Sequence, residues 1–380
     1  MKKREKFIAI AMCTAMAFSV VACGKDKGAD DSSLSVSVED VAVEASSEAS
    51  SEEAENFEVP EGMYLSEITG EPISEELKDQ RPVAVMVDNE KTALPHYGVN
   101  KGDVVYEMMN STANGRITRL MVLVKDWGNL TQFGSIRSAR PTNFMLAYEW
   151  NAILVHDGGP CYINDYKTRP YNASLSAGFA RFSNGKRTEF TEYVTSQGYK
   201  NPKTGRSYAG LISRVQSAGY SSTYNQYYQG QHFNFSDTEF TLDGQANVIP
   251  ATKVELPFPH NSSKLNYNAA TKTYDYYEYG SAHVDALDGK VTTFKNVILM
   301  DASFTQLDTH GYLVYNILAS GQPGYYLTDG KAIPILWSKM NELSKTQYFN
   351  ASTLQPLTLN TGKTYIAIVP ADVWNQLVIK

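Results

Sequence analysis

Three stretches of this chain place charged and polar side chains where short apolar runs end. Asp88 and Asn89 close the run Val83-Ala84-Val85-Met86-Val87. Arg137, Ser138 and Arg140 come just before a predicted helix start at Pro141. His156 and Asp157 close Ala152-Ile153-Leu154-Val155, and Gly158 and Gly159 follow. Two arginines three apart present fixed forks of N–H donors, suited to a phosphate, a carboxylate or an acidic glycan. Polar residues at strand ends in α/β domains stand beside ligand-binding loops. The candidate ligand site is therefore Asp88, Asn89, Glu107, Arg119, Arg137, Ser138, Arg140, His156 and Asp157. These residues also have a purely structural reading, in which Asp88 pairs with Arg119 or Arg137 and fixes the loops.

Enzyme chemistry is permitted by residue type and fixed by nothing. Ser138, His156 and either Asp88 or Asp157 supply the side chains of a hydrolytic triad, yet Ser138 lacks a Gly-x-Ser-x-Gly nucleophile elbow. Cys161 lies five residues after His156, but a lone cysteine is usually a small hydrophobe. Glu107 and Asp88 could face each other as paired carboxylates across adjacent strands. The histidines at 96, 156, 232, 260, 283 and 310 are scattered, with no HExxH and no paired cysteines. No metal and no cofactor is therefore expected. His283 and Asp285 read as a hydrogen-bonded surface pair on one strand face. Catalytic residues stay unassigned.

The amino terminus says where such a site would work. Lys2, Lys3, Arg4 and Lys6 precede an apolar stretch from Phe7 to Ala22, shorter than the roughly 20 residues a membrane span needs. The order Val20-Val21-Ala22-Cys23 has the form of a lipoprotein signal, so 1–22 is read as a signal peptide and Cys23 as the lipidated residue. Diacylglycerol and an acyl chain such as palmitate would anchor it, since each buried CH₂ contributes roughly 0.8 kcal/mol. Residues 23–61 are read as an acidic linker. From 24 to 61 there are twelve Asp and Glu against two Lys. Such a composition is expected to form a disordered tether.

The formal charge of −7 comes from these first 61 residues, because the rest has 28 Lys plus Arg and 28 Asp plus Glu. A neutral body argues against nonspecific nucleic-acid binding, so no nucleic-acid partner is expected. After signal removal and lipidation only Cys161 is left unmodified, which precludes an intrachain disulfide.

The elements that must position the candidates are apolar runs at 83–87, 103–108, 117–124 and 152–156, all read as strands. Residues 142–150 are helix-like, as are 189–196 and 207–216. Beyond 247 the chain turns to short alternating segments with turn signals at Asp288-Gly289 and Asp329-Gly330. The fold class is therefore α+β or mixed α/β. An N-terminal α/β-like domain spans 62–246 and a β-rich C-terminal domain 247–380. Tyr220, Tyr224, Tyr227 and Tyr228 read as half-buried packing or as an aromatic groove.

The segments Arg81 to Asn89, Val105-Tyr106-Glu107, Gly115 to Arg119, Ile136 to Arg140 and His156-Asp157-Gly158-Gly159 together resemble the YerB-like bacterial lipoproteins, a family of uncharacterised function. The stretch from Val297 through Gly311, Gly330, Trp337 and Gly362 to Val369 looks like that family's separate C-terminal domain. The resemblance covers nearly all of 80–370 and implies a two-domain extracytoplasmic protein, with no established activity. The chain has Asn114-Gly115-Arg116 where the family pattern carries an acidic residue and two glycines.

The combined expectation is a cell-envelope lipoprotein, anchored by lipid on the extracytoplasmic face of the cell membrane, that binds a small anionic or glycan ligand of the wall. Two other readings stand beside it. One is a cell-wall-associated hydrolase. The other is a protein-interaction lipoprotein without a small-molecule site, which would expose an apolar patch near Tyr220–Tyr228; its protein partner is unidentified.

Overall fold

The computed structural model describes residues 58–380. The expected signal peptide, Cys23 and the expected linker as far as residue 57 lie outside the described residues.

The runs read as strands are strands, and they are mostly apolar because both of their faces are covered. In chain order we define β1 Val83–Asp88, β2 Val104–Met109, β3 Thr118–Val124, α1 Pro141–Glu149, β4 Ile153–His156 and β5 Ser174–Ser176. The second half adds β6 Ile249–Pro250, β7 Lys253–Glu255, β8 Lys264–Asn268, β9 Thr273–Glu278 and β10 Asn296–Ala302. It ends with β11 Gln322–Thr328, β12 Lys331–Ser338, β13 Gln347–Asn350 and β14 Thr364–Pro370.

One sheet of eleven strands runs β6-β12-β11-β10-β14-β2-β3-β1-β4-β5, with β13 paired to β12. β2 of the first half lies parallel to β14 of the second, with Glu107 opposite Ala367. The sheet therefore continues across position 246/247 without a break. Alternation along each strand sorts side chains between two cores. Ala84, Met86, Tyr106, Met121 and Ile366 face the side packed by Phe144, Leu146 and Tyr148 of α1. Val83, Val85, Val105, Val122 and Tyr365 face the other side. There they meet Val254, Leu265, Tyr274 and Tyr276 of the smaller sheet built on β7, β8 and β9.

Strands dominate, and the pairing is mixed. β1–β4, β4–β5, β2–β14 and β10–β14 are parallel, whereas β1–β3, β2–β3 and β11–β12 are antiparallel. The α/β character expected of the first half is limited to α1 and the parallel strands around it. The helix expected over 189–196 does not form. A 3-10 turn at Thr188–Phe190 leads into a strand at Glu192–Val194, which pairs on both sides with Phe133–Gly134 and Ala180–Arg181. Ladder hydrogen bonds and burial of Tyr193 and Val194 override the helical spacing. The helix expected over 207–216 is shorter, at Leu211–Ser217. Among the described residues no helix is long and apolar enough to cross a membrane.

Candidate functional site

The register of β1, β2 and β3 gathers the site. Asp88 at the end of β1 pairs with Arg119 of β3, and Met108 of β2 pairs with the same residue from the other side. Past β3 the chain returns along β1, with Arg137 N–H donating to the Met86 carbonyl. It enters α1 at Arg140, where the Asn143 side chain accepts from the Arg140 N–H at 2.7 Å and Pro141 opens the helix. This delivers Arg137, Ser138 and Arg140 beside the ends of β1 and β2.

The nine candidates resolve into four groups. Arg137 Nε lies 2.7 Å from Asp88 Oδ2, and its Nη2 donates to Glu189 Oε2 at 2.9 Å. Burial opposes the Arg137 charge, but Asp88 and Glu189 more than offset it and raise the guanidinium pKa. The sequence alternative of Asp88 pairing with Arg137 is the observed contact, and that arginine is already neutralised.

Arg119 and Arg140 form the second group. Arg119 Nη1 donates to Ser138 Oγ at 2.8 Å, to the Ser138 carbonyl at 2.9 Å and to Asn110 Oδ1 at 3.1 Å. Arg140 Nη1 donates to the same Ser138 Oγ at 3.1 Å, and its Nε donates to the Asn110 carbonyl at 3.2 Å. Each guanidinium belongs to a residue only 6% exposed. Among the described residues neither makes an ion pair with a carboxylate, and Arg119 Nε has no partner. Burial holds Arg119 down to about 10. Burial and the Arg119 charge hold Arg140 down to about 9. Both remain cations at neutral pH, in a place that disfavours unpaired charge. The free space beside them is about 10 Å³, room for about one water-sized group. The Tyr312 ring lies over Arg140 at 4.5 Å from its centroid.

The third group is interior. Glu107 is fully buried and accepts hydrogen bonds from Asn89, Thr118, Asn261, Ser263, Tyr276 and Tyr365. Asn89 and Glu107 are therefore structural partners, and Glu107 does not stand opposite Asp88 as a carboxylate pair. The fourth group holds His156 and Asp157. His156 Nδ1 donates to the Gly158 carbonyl at 2.7 Å, its ring packs edge-on against Phe144, and burial pushes its pKa down to about 4. Asp157 lies 3.7 Å from Arg181, which also holds Glu192.

The triad arrangement is not assembled. Ser138 Oγ is held by two guanidiniums, and neither it nor the exposed Cys161 has a hydrogen bond to His156. The tyrosines between 220 and 228 are committed internally. Tyr224 and Tyr228 stack at 3.8 Å, and Lys125 lies 4.5 Å from the Tyr224 centroid. His283 is buried, and Asp285 bonds the backbone of Gly98 and Asn100 instead of pairing with it. Sequence reasoning missed Asn110, Glu189 and Tyr312. Asn110 carries the one legible signal, a polar residue ending the apolar run of β2. Tyr312 follows Arg140 by 172 positions, and only tertiary folding brings it near.

Two family models cover most of this architecture. Residues 68–229 match the N-terminal domain, and residues 254–366 the C-terminal domain, of the family described as protein of unknown function DUF3048. The chain belongs to the DUF3048 family. A relative in Bacillus subtilis (strain 168), named as a candidate lipoprotein, YerB, is 26% identical over 307 residues, covering 80% of this chain and 85% of the relative. The crystal structure of the YerB protein from Bacillus subtilis superposes with a TM-score of 0.65 at 21% identity, covering 83% of this chain and 99% of that one. At that identity the likeness establishes the fold alone. The resemblance to YerB-like lipoproteins carried by the sequence motifs is thus borne out, and the relative's name accords with a lipoprotein.

Proposed function

We propose that this DUF3048 protein is a lipid-anchored lipoprotein, facing outward from the cell membrane, that binds a small anionic ligand of the envelope through Arg119, Arg140 and Ser138. One observation carries the reading. Two buried guanidiniums share a single hydroxyl, and among the described residues no carboxylate pairs with either. Two like charges buried together without a counter-charge are costly, and a bound anion would offset that cost with charge-assisted hydrogen bonds. Asp88 and Glu189 neutralise Arg137, so the anion site narrows from the nine candidates to these three residues and the Asn110 amide.

The available space admits only a very small group while Tyr312 covers Arg140. A carboxylated sugar or phosphorylated ligand therefore enters as the 307–312 loop lifts. The lysine-rich start directs export and is removed with the signal peptide, and the lipid on Cys23 supplies the anchor.

Calorimetric titration of the full-length chain in detergent tests the reading. N-acetylmuramic acid and inorganic phosphate serve as anionic probes, with N-acetylglucosamine as the neutral control. Binding of an anionic probe that is lost in Arg140→Gln and kept in Arg137→Gln supports it. Equal binding by wild type and Arg140→Gln, or binding of the neutral sugar alone, overturns it.

A further inference from the structure

A second cluster is joined to the first through the backbone of Asp88. It contains His96, from the loop after β1, Glu278 at the end of β9, and His283 just past the hairpin strand Ser281–Ala282. All three are buried, at 0%, 2% and 3% exposure. Their candidate ligand atoms all lie within 4.8 Å of one another.

The outer hydrogen bonds fix which nitrogens carry hydrogens. His96 Nε2 faces the Asp88 carbonyl at 2.6 Å, and a carbonyl only accepts, so Nε2 is the N–H. Asn100 donates through Nδ2 to Asp288 and to the Lys290 carbonyl, so its Oδ1 is the acceptor for the Thr292 hydroxyl at 2.6 Å. The Thr292 hydrogen is committed there, and its oxygen takes the N–H of His283 Nδ1 at 2.8 Å. Both rings are then protonated on their outer nitrogens. The inner nitrogens, His96 Nδ1 and His283 Nε2, point lone pairs at each other across 2.9 Å. Glu278 Oε1 stands 3.8 Å from the same His283 nitrogen, and neither Glu278 oxygen has a hydrogen-bond partner.

Three electron-pair donors thus converge on one buried point, and none donates a hydrogen to another. We infer that His96, His283 and Glu278 form a binding site for a divalent transition-metal ion, with zinc the best match to two imidazoles and one carboxylate.

The surroundings fit that assignment. Metal-bound histidines hold their other N–H on a carbonyl or a polar side chain, as the Asp88 carbonyl and Thr292 do here. Burial pushes His96 down to about 4 and His283 down to about 3, so neither ring carries a second proton at neutral pH. Burial and then the nearby Glu107 raise the Glu278 carboxyl well above the usual range, a penalty that a bound dication reverses. Zinc–nitrogen bonds of about 2.0–2.1 Å at tetrahedral angles set two ring nitrogens roughly 3.3 Å apart. The 2.9 Å gap therefore opens by a few tenths of an ångström as the ion enters. A hollow of about 410 Å³, lined by Lys91, Leu94, Pro95 and Tyr279, reaches Glu278 and His283 and gives the ion a way in. Three protein ligands leave a position for water, the arrangement of reactive rather than closed sites.

The test uses the full-length chain without a histidine tag, in detergent, after treatment with a chelator. Zn²⁺ is titrated by calorimetry and Co²⁺ by its visible d–d absorption. One ion per chain is expected, with a cobalt spectrum indicating four- or five-fold coordination by nitrogen and oxygen. Glu278→Gln and His96→Gln each weaken binding more than about 100-fold, beyond the 10- to 100-fold typical of an outer partner. Thr292→Val, which removes such a partner, weakens it about 10-fold. Failure of the wild-type chain to bind either ion stoichiometrically overturns the inference, whether or not a variant folds. Stoichiometric binding that survives unchanged in folded Glu278→Gln overturns it as well.

Discussion

Tyr276 donates a hydrogen bond to Glu107 at 2.9 Å, joining a strand of the first family domain to one of the second. Tyr365, Asn261 and Ser263 add three more donors from the second domain, while Asn89 and Thr118 come from the first. Two chain segments that each match a separate family model thus share one buried carboxylate and one sheet.

Glu107→Ala leaves as many as six buried donors without their acceptor. Each orphaned buried group costs about 1–3 kcal/mol, with partial relief by rearrangement. The expected loss is on the order of 3–5 kcal/mol, read as a lower denaturant midpoint with unchanged slope. A shift equivalent to less than about 1 kcal/mol contradicts the role assigned to Glu107.

His232 sets a pH dependence. It stacks on Trp150 at 3.9 Å, both ring nitrogens lack partners, and Glu149, Lys339 and Lys345 are the charges that act on it. Burial lowers it from 6.5 to about 4, despite the opposing pull of Glu149. The unfolded chain therefore takes up the proton first as pH falls. Stability is lost progressively from about pH 6.5 down to about pH 4. In His232→Phe the drop in chemical stability between pH 7 and pH 5 shrinks by on the order of 1–2 kcal/mol. Parallel pH profiles for the variant and wild type would refute this.

Tyr312 covers Arg140 at the proposed anion site. Tyr312→Ala removes a cation–π contact of roughly 0.5–1 kcal/mol and opens the approach to Arg140. Affinity for inorganic phosphate is expected to rise about two- to fivefold by calorimetry. Weaker binding in a variant that melts like wild type would instead make the ring part of the ligand contact.

The anchor is tested apart from the body. Cys23→Ala is expected to abolish incorporation of radiolabelled palmitate and to move the chain from the membrane to the soluble fraction. Continued labelling of the variant would place the lipid elsewhere.

The strands around the site were legible because a sheet covered on both faces favours apolar runs, such as Val83–Val87 and Leu120–Val124. Ser138 and the paired arginines were legible from their place between a strand and Pro141. Which arginine was already neutralised was not, since Glu189 approaches from a segment whose spacing suggested helix. The His96–Glu278–His283 cluster was illegible for a related reason. Its members are separated by 182 and 5 positions, so no local motif marks them. A hairpin and a loop from opposite halves of the chain bring them together.

The central claim is that Arg119 and Arg140 await an anion. Its most direct measurement is diffraction from crystals of the protein soaked in selenate, with data collected at the selenium absorption edge. The account predicts an anomalous peak within hydrogen-bond distance of both guanidiniums and Ser138 Oγ, with the Tyr312 ring displaced. Selenium bound only at other arginines, with Arg119 and Arg140 still closed on Ser138 at saturating selenate, would contradict it.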